Sequence, residues 1–264
     1  SVLLPNCTSA ADRSRWGSRS LRRQRRPRPK SHCHAVPGVA AVAPASCDHG
    51  APVARPSALE ARVRQEGCGA PIHCSTLPNK YNKPGAGYLG VTHRLDRPTT
   101  GVVVFAKTSK ALTRMNALFL NKKIEKTYWA VVKNKPEKTK DSLINWLKKN
   151  PKNNKSTAYP KEVDQSKKAV LHYKLIYSLD RYHLLEVKLE TGRHHQIRSQ
   201  LSFIGSPIKG DLKYGFDRSN PDGSIHLHAQ NISFTHPVSN ENISISAAPP
   251  SDVLWEKCSS KNNT

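Results

Sequence analysis

Composition changes abruptly near residue 79 of this 264-residue chain, and the change confines any packed core to the residues beyond that point. Residues 1–78 are rich in Arg, Ala, Pro and Ser and carry the basic cluster Arg22-Arg23-Gln24-Arg25-Arg26-Pro27-Arg28-Pro29-Lys30. They hold one aromatic residue, Trp16, and four acids, Asp12, Asp48, Glu60 and Glu66. A segment so poor in aromatic and β-branched side chains cannot offset the entropy of ordering its backbone, so it is expected to be a disordered basic segment, with at most a short helix around 57–65. From Asn79 onward Lys replaces Arg as the main cation and Ile, Leu, Tyr and Asn become common, so the folded domain is expected over 79–258. Three accounts of the first segment compete: a basic tail, an organellar targeting peptide, and sequence foreign to the fold. Prolines at 27, 29, 37, 44, 52 and 56 argue against the amphipathic helix of a targeting peptide. The abrupt swap of residue preferences favours the foreign sequence.

Periodicity then organises the second part. Val102–Lys107 reads as a strand, and Thr108 can cap a helix through Lys122 with Leu112, Met115, Leu118 and Phe119 on one face. Thr127–Lys133 reads as a strand and Leu143–Lys149 as a short helix. Ala169–Tyr177 and Tyr182–Glu190 form an antiparallel pair around Ser178-Leu179-Asp180-Arg181, and in the latter Leu185, Val187 and Leu189 alternate with charged residues. A helix is expected from about His194 to Ile204, stopped by Gly205, followed by strands near Ile225–Thr235 and Ile243–Ala247. Strands outnumber helices without strict alternation, which points to an α+β fold with a mixed, mostly antiparallel sheet and flanking helices.

Net charge narrows the choice of partner. A formal charge of +24 calls for a polyanion, nucleic acid first, since phosphate neutralisation by Lys and Arg releases counterions; a merely solvated basic surface is the plainer account. No run of about 18 apolar residues could span a membrane, and no charged-then-apolar secretory start is present. Five of the six cysteines precede residue 80, which is no disulfide framework, so they read as reduced thiols of an intracellular protein. His32-Cys33-His34 and Cys47-Asp48-His49 lack Cys-x-x-Cys spacing, so no metal is expected.

Four segments carry candidate chemistry. In His93-Arg94-Leu95-Asp96-Arg97-Pro98-Thr99-Thr100-Gly101 one carboxylate sits between two arginines just before a turn and an apolar strand, the setting of a reactive acid as well as of a turn-bonded structural one. In Lys126-Thr127-Tyr128-Trp129 the two rings point to opposite faces of a strand, so one can face a cleft as a platform for a nucleobase, although core packing is the commoner use. In Gly192-Arg193-His194-His195-Gln196-Ile197-Arg198 a helical spacing puts both histidines on the face of Arg198, where an acid or phosphate could bind; a solvated basic face is the plain alternative. Lys209-Gly210-Asp211-Leu212-Lys213-Tyr214-Gly215 is a loop whose glycine spacing is that of neither a P-loop nor a dinucleotide fingerprint, and its lysines can simply face solvent.

Together, in this order and with Leu227-His228-Ala229 downstream, these motifs resemble the RluA family of pseudouridine synthases, over about 80–250. The resemblance implies a pseudouridine synthase fold and isomerisation of specific uridines in structured RNA, either rRNA or tRNA, after the base is flipped from its stack, with no metal or organic cofactor. It implies Asp96 as the essential carboxylate, Arg198 as its cationic partner holding it ionised and oriented, and Tyr128 as the ring that stacks on the uracil. It further implies that Arg94 fills the gap left in the RNA and that Arg193, His195 and Lys209 contact RNA. A monomer is expected, cytoplasmic, or organellar if the first segment is a transit peptide. Nothing before Asn79 matches the strand with which such domains begin; its loss would expose a sheet edge, and the alternative function is then a truncated, inactive RNA-binding member of the same family. Thr100 stands where serine is usual and keeps the hydroxyl.

Overall fold

Alternating burial along long strands builds the larger of two sheets in the computed structural model, which describes residues 39–42, 72–74 and 87–259. The expectation of disorder across 1–78 falls on residues outside these, apart from two short strands, β1 (Val39–Val42) and β2 (Ile72–Cys74). All described residues belong to one compact unit.

β1 and β2 are the outer strands of a four-stranded sheet ordered β1-β5-β3-β2, whose inner strands are β3 (Gly87–Val91) and β5 (Val103–Ala106). Both outer strands pair antiparallel with their neighbours. The sequence upstream of Asn79 thus contributes paired strands next to the domain.

The larger sheet is ordered β12-β11-β6-β10-β9-β7-β8. It comprises β6 (Ile124–Val132), β7 (Lys140–Asn150), β8 (Lys155–Tyr159), β9 (Lys167–Ser178), β10 (His183–Leu189), β11 (Leu227–Thr235) and β12 (Asn242–Ser246). Every pairing along this path is antiparallel; the short β4 (Thr100–Gly101) pairs β11 in parallel through Thr100–His228 and Gly101–Ala229. The expected α+β class with a mixed, mostly antiparallel sheet is therefore the observed one.

One expected element is corrected. Leu143–Lys149 lies within the strand β7 and not in a helix. Leu143, Asn145 and Leu147 turn inward at 8%, 5% and 5% exposure while Ile144 stays half exposed, a period of two that the polar Asn145 disguises. Asn145 is tolerated inside because Gln200 Nε2 donates to its Oδ1 at 2.8 Å and to the Leu143 carbonyl at 3.0 Å.

Each face of the sheet has its own cover. Tyr128, Ala130 and Val132 of β6, with Leu185, Val187, Leu171 and Leu227, pack against Ile197 and Leu201 of α2 (Gln196–Phe203) and against Leu95 of the Asp96 loop. On the opposite face Val131 and Leu184 meet Trp255 and Cys258 of α3 (Val253–Ser259), with Trp129 beside them. The two adjacent β6 rings therefore divide between the faces as expected from the pleat. A third cluster joins the small sheet to β11 and β12 through Val104, Met115, Ile232 and Phe234. Met115 comes from α1 (Ser109–Leu120), capped by Thr108, whose Oγ1 accepts from Ala111 N–H at 3.1 Å.

Candidate active site

Asp96 stands in the loop between β3 and β4, and that loop is tied down at several points. Thr99 N–H donates to the Asp96 carbonyl at 2.9 Å and Ile225 N–H to the Pro98 carbonyl at 3.0 Å. The buried His228 meets the Ala247 carbonyl through Nε2 at 3.1 Å, so Nε2 carries the proton and Nδ1 accepts from the Thr100 hydroxyl at 2.8 Å. The hydroxyl at position 100 thus has a definite partner. His93 Nε2 accepts from Val104 N–H at 3.1 Å.

The facing wall is the start of α2. The helix begins at Gln196, two residues later than expected, because His195 adopts the left-handed conformation at φ 51°. Gln196 ties the turn together instead: its Oε1 accepts from the Thr191 hydroxyl and from Arg193 N–H, both at 2.9 Å, and its Nε2 donates to the Val170 carbonyl at 3.0 Å. A left-handed non-glycine residue is held there at a cost, a feature that clusters at functional sites. It swings the His195 ring against His194, with centroids 3.8 Å apart, and towards Arg198.

Arg198 is the hub, and its fork goes to an acid that sequence reasoning did not single out. Nε and Nη2 donate to Asp211 Oδ2 and Oδ1, both at 2.7 Å, while Nη1 lies 3.6 Å from Asp96 Oδ2. Nη1 also donates to His195 Nε2 at 3.3 Å, which leaves the imidazole proton on Nδ1, where it meets the Tyr214 hydroxyl at 2.9 Å. That hydroxyl accepts from Ser156 N–H at 2.9 Å, and the Tyr214 ring lies under the guanidinium at 4.9 Å. Asp211, Tyr214 and Ser156 escape a reading of the sequence; Gly210-Asp211 is visible as a motif, but nothing in its spacing says which cation it holds.

Electrostatics set the state of these groups. Burial pushes the Asp96 carboxyl above its ordinary value; Arg198 pulls it back and the neighbouring Asp211 adds to the rise. The pull of Arg198 does not overcome burial, so the Asp96 carboxyl stays above its ordinary value while the guanidinium, shared with Asp211, orients it. Burial together with Arg198 holds His195 down at about 3, so its imidazole is neutral. The Tyr128 phenol is raised by burial and by the charge of Asp96, which puts the two groups in the same neighbourhood.

The structure gathers Asp96, Arg198 and His195, with Tyr128 close by. Arg94 is exposed, and its charge is felt by His194. Arg193 is exposed and its Nε donates to the Lys168 carbonyl at 3.1 Å. Lys209 belongs to a different cluster: its ammonium donates to Asn220 at 2.9 Å, and the acids it feels are Asp252 and Asp222. Among the described residues no three His, Cys, Asp or Glu side chains gather as a metal-binding group.

Neutral buried histidines carry a pH prediction. His93 and His195 are held at about 3 and His226 at about 4, burial being the largest cause for each, against 6.5 when exposed. Below pH 6.5 the unfolded chain therefore binds more protons than the native one, so stability is full above that value and falls as pH drops towards 4. Each group contributes a slope of up to about 1.4 kcal/mol per pH unit. Urea midpoints measured from pH 7.5 to 4.5 should decline below 6.5; a flat profile would contradict the burial of these rings.

The fold is that of a pseudouridine synthase: the chain superposes on Human RNA Pseudouridylate Synthase Domain Containing 4 with a TM-score of 0.60, covering 84% of this chain and 90% of that one at 20% identity. The RNA pseudouridylate synthase family profile matches residues 56–203, more than half of the chain, and the chain belongs to that family, in its RluA-type branch. The matched stretch begins upstream of Asn79 and contains Asp96, Tyr128 and Arg198. The chain is 32% identical over 177 residues to ribosomal large subunit pseudouridine synthase D of Zymomonas mobilis, covering 64% of this chain and 55% of that protein. It is 30% identical over 183 residues to tRNA pseudouridine synthase C of Vibrio parahaemolyticus, covering 62% and 73%. The chain spans a little over half the length of several curated relatives.

Proposed function

We propose that this protein isomerises specific uridines to pseudouridine in structured RNA, rRNA or tRNA, by flipping the target base out of its stack to meet Asp96. The observation that carries the reading is Asp96 Oδ2 held 3.6 Å from the buried Arg198 guanidinium, with the Tyr128 phenol sensing the same carboxylate. A turn-bonded structural aspartate needs neither neighbour.

The reaction needs no outside reactant, because substrate and product are isomers. The C1′–N1 bond breaks, the base turns, the C1′–C5 bond forms, C5 releases one proton and N1 takes one up. Asp96 serves either by attacking C1′ or by removing a proton from C2′. A carboxyl raised by burial is the more basic and nucleophilic for either task. Arg198 orients the carboxylate, Tyr128 stacks on the extruded uracil, and the exposed Arg94 fills the gap left in the RNA. Arg193, His195 and Lys209 contact the RNA, with Lys209 the most remote from Asp96. The net charge of +24 supplies non-specific affinity, which should fall steeply with salt.

The test is incubation of the full chain with transcribed rRNA and tRNA, followed by chemical mapping of pseudouridine. New pseudouridine at discrete positions is expected. RNA binding with none formed on any substrate would favour an inactive RNA-binding member of the family.

A further inference from the structure

We propose that Asp211 is a positioning residue: it occupies the fork of Arg198 and so leaves only Nη1 to face the reactive carboxylate. The inference rests on the reading of Asp96 as the reacting group.

An arginine fork beside two carboxylates has to choose. Bidentate pairing with two short bonds is the strongest arrangement a guanidinium makes, and here it goes wholly to Asp211, at 2.7 Å on both sides. Asp96 receives a single nitrogen at 3.6 Å, an ion pair beyond hydrogen-bond length. The division is enforced by the turn that carries Asp211. Its N–H donates to the Ile208 carbonyl at 3.1 Å, and its own carbonyl accepts from Tyr214 N–H at 3.1 Å and from Phe216 N–H at 3.0 Å. With its side chain only 1% exposed, Asp211 cannot exchange Arg198 for water.

The consequence is a cation that steers without gripping. Asp96 faces Arg198 from α2 and His195 just before it, Lys213 and Asp211 from the following loop, and Tyr128 from β6. His195 is neutral, and Asp211 matches the charge of Arg198. A carboxylate clamped by a bidentate guanidinium has both oxygens engaged and makes a poor base or nucleophile. Asp96, contacted at one oxygen, keeps the other free for the sugar. The Gly210-Asp211 motif, which the isomerase reading left without a task, thereby acquires one.

The test compares wild type with Asp211→Asn and the charge-retaining Asp211→Glu. The Asp96 titration is followed by carboxyl ¹³C NMR, assigned with Asp96→Asn. In Asp211→Asn the midpoint of Asp96 should drop by about one pH unit, since a negative neighbour is lost and the fork is freed to grip Asp96. In Asp211→Glu it should stay near that of wild type. Turnover should fall by about 100-fold in Asp211→Asn through misplacement of the reacting groups, with RNA affinity little changed. A structural anchor would lower the melting temperature without moving the titration of Asp96. An unmoved midpoint in folded Asp211→Asn, or loss of the fold in both variants, overturns the proposal. Should only the Asn variant fail to fold, the charge-retaining Glu variant decides: an Asp96 midpoint and kcat near those of wild type support the proposal, and loss of turnover with the midpoint unmoved overturns it. Because the NMR midpoint needs no turnover, an inactive wild type would sink the isomerase reading and leave the division of Arg198 to be judged by titration.

Discussion

Asp96→Asn is expected to bring pseudouridine formation down by at least about 1,000-fold, the scale on which a positioned base or nucleophile contributes. Asparagine has nearly the same shape and keeps an oxygen near Arg198, but it can neither attack C1′ nor accept a proton from C2′. RNA affinity should hold or tighten slightly, because a negative charge leaves a surface that meets phosphates. Stability offers a second readout with an unusual sign. The folded state raises the Asp96 carboxyl above its ordinary value, so the ionised form costs stability at neutral pH, and the cost lessens as the group is protonated on acidification. Removing the charge should therefore leave the variant at least as stable as wild type at pH 7, the pattern of a residue kept for chemistry at the expense of the fold. Quantitative mapping on a wild-type substrate, with melting curves alongside, checks both parts. Turnover within about tenfold of wild type would remove Asp96 from the reaction.

Gly101→Ala should be the most damaging single-methyl change in the domain. Gly101 sits at φ +121°, and a Cβ placed there would lie 2.3 Å from the Ala229 carbonyl oxygen and 2.5 Å from its nitrogen. Those atoms are backbone of β11 and cannot rotate away. Relief requires separating β4 from β11, which breaks the Val102 N–H to Ala229 carbonyl bond at 2.9 Å and the parallel pairing of Gly101 with Ala229. A loss of about 4 kcal/mol or more is expected, in the range reserved for strain that packing cannot absorb. Thr100 and its bond to His228 are carried along, so the Asp96 loop shifts too and activity should fall before the protein unfolds. Urea denaturation and mapping of pseudouridine on the same preparation test this; a melting temperature within about 2 °C of wild type would refute it.

Legibility tracks the range of the forces involved. The cap of α1 at Thr108, the β9–β10 hairpin and the opposite-facing pair Tyr128 and Trp129 are readable because each depends on neighbours a few residues away. β7 reads as a helix because its inward Asn145 is satisfied by Gln200, a partner 55 residues distant. Helix α2 starts late for a similar reason: the bonds that fold the Thr191–Arg193 turn onto Gln196 include one to Val170, on β9. Lys209, a candidate for the RNA-contacting set, is bound to Asn220.

By itself the sequence determined that a carboxylate framed by arginines would sit on a loop entering a strand, and that a cationic helix start would come after Gly192. Tertiary structure alone decided how the two meet: the Arg198 fork goes to Asp211, one nitrogen is left for Asp96, and His195 is bent into the left-handed region. Composition and spacing can specify which charges a chain possesses. How one guanidinium is shared between two acids depends on burial and on hydrogen-bond geometry across a folded core, and that exists only once distant strands have paired.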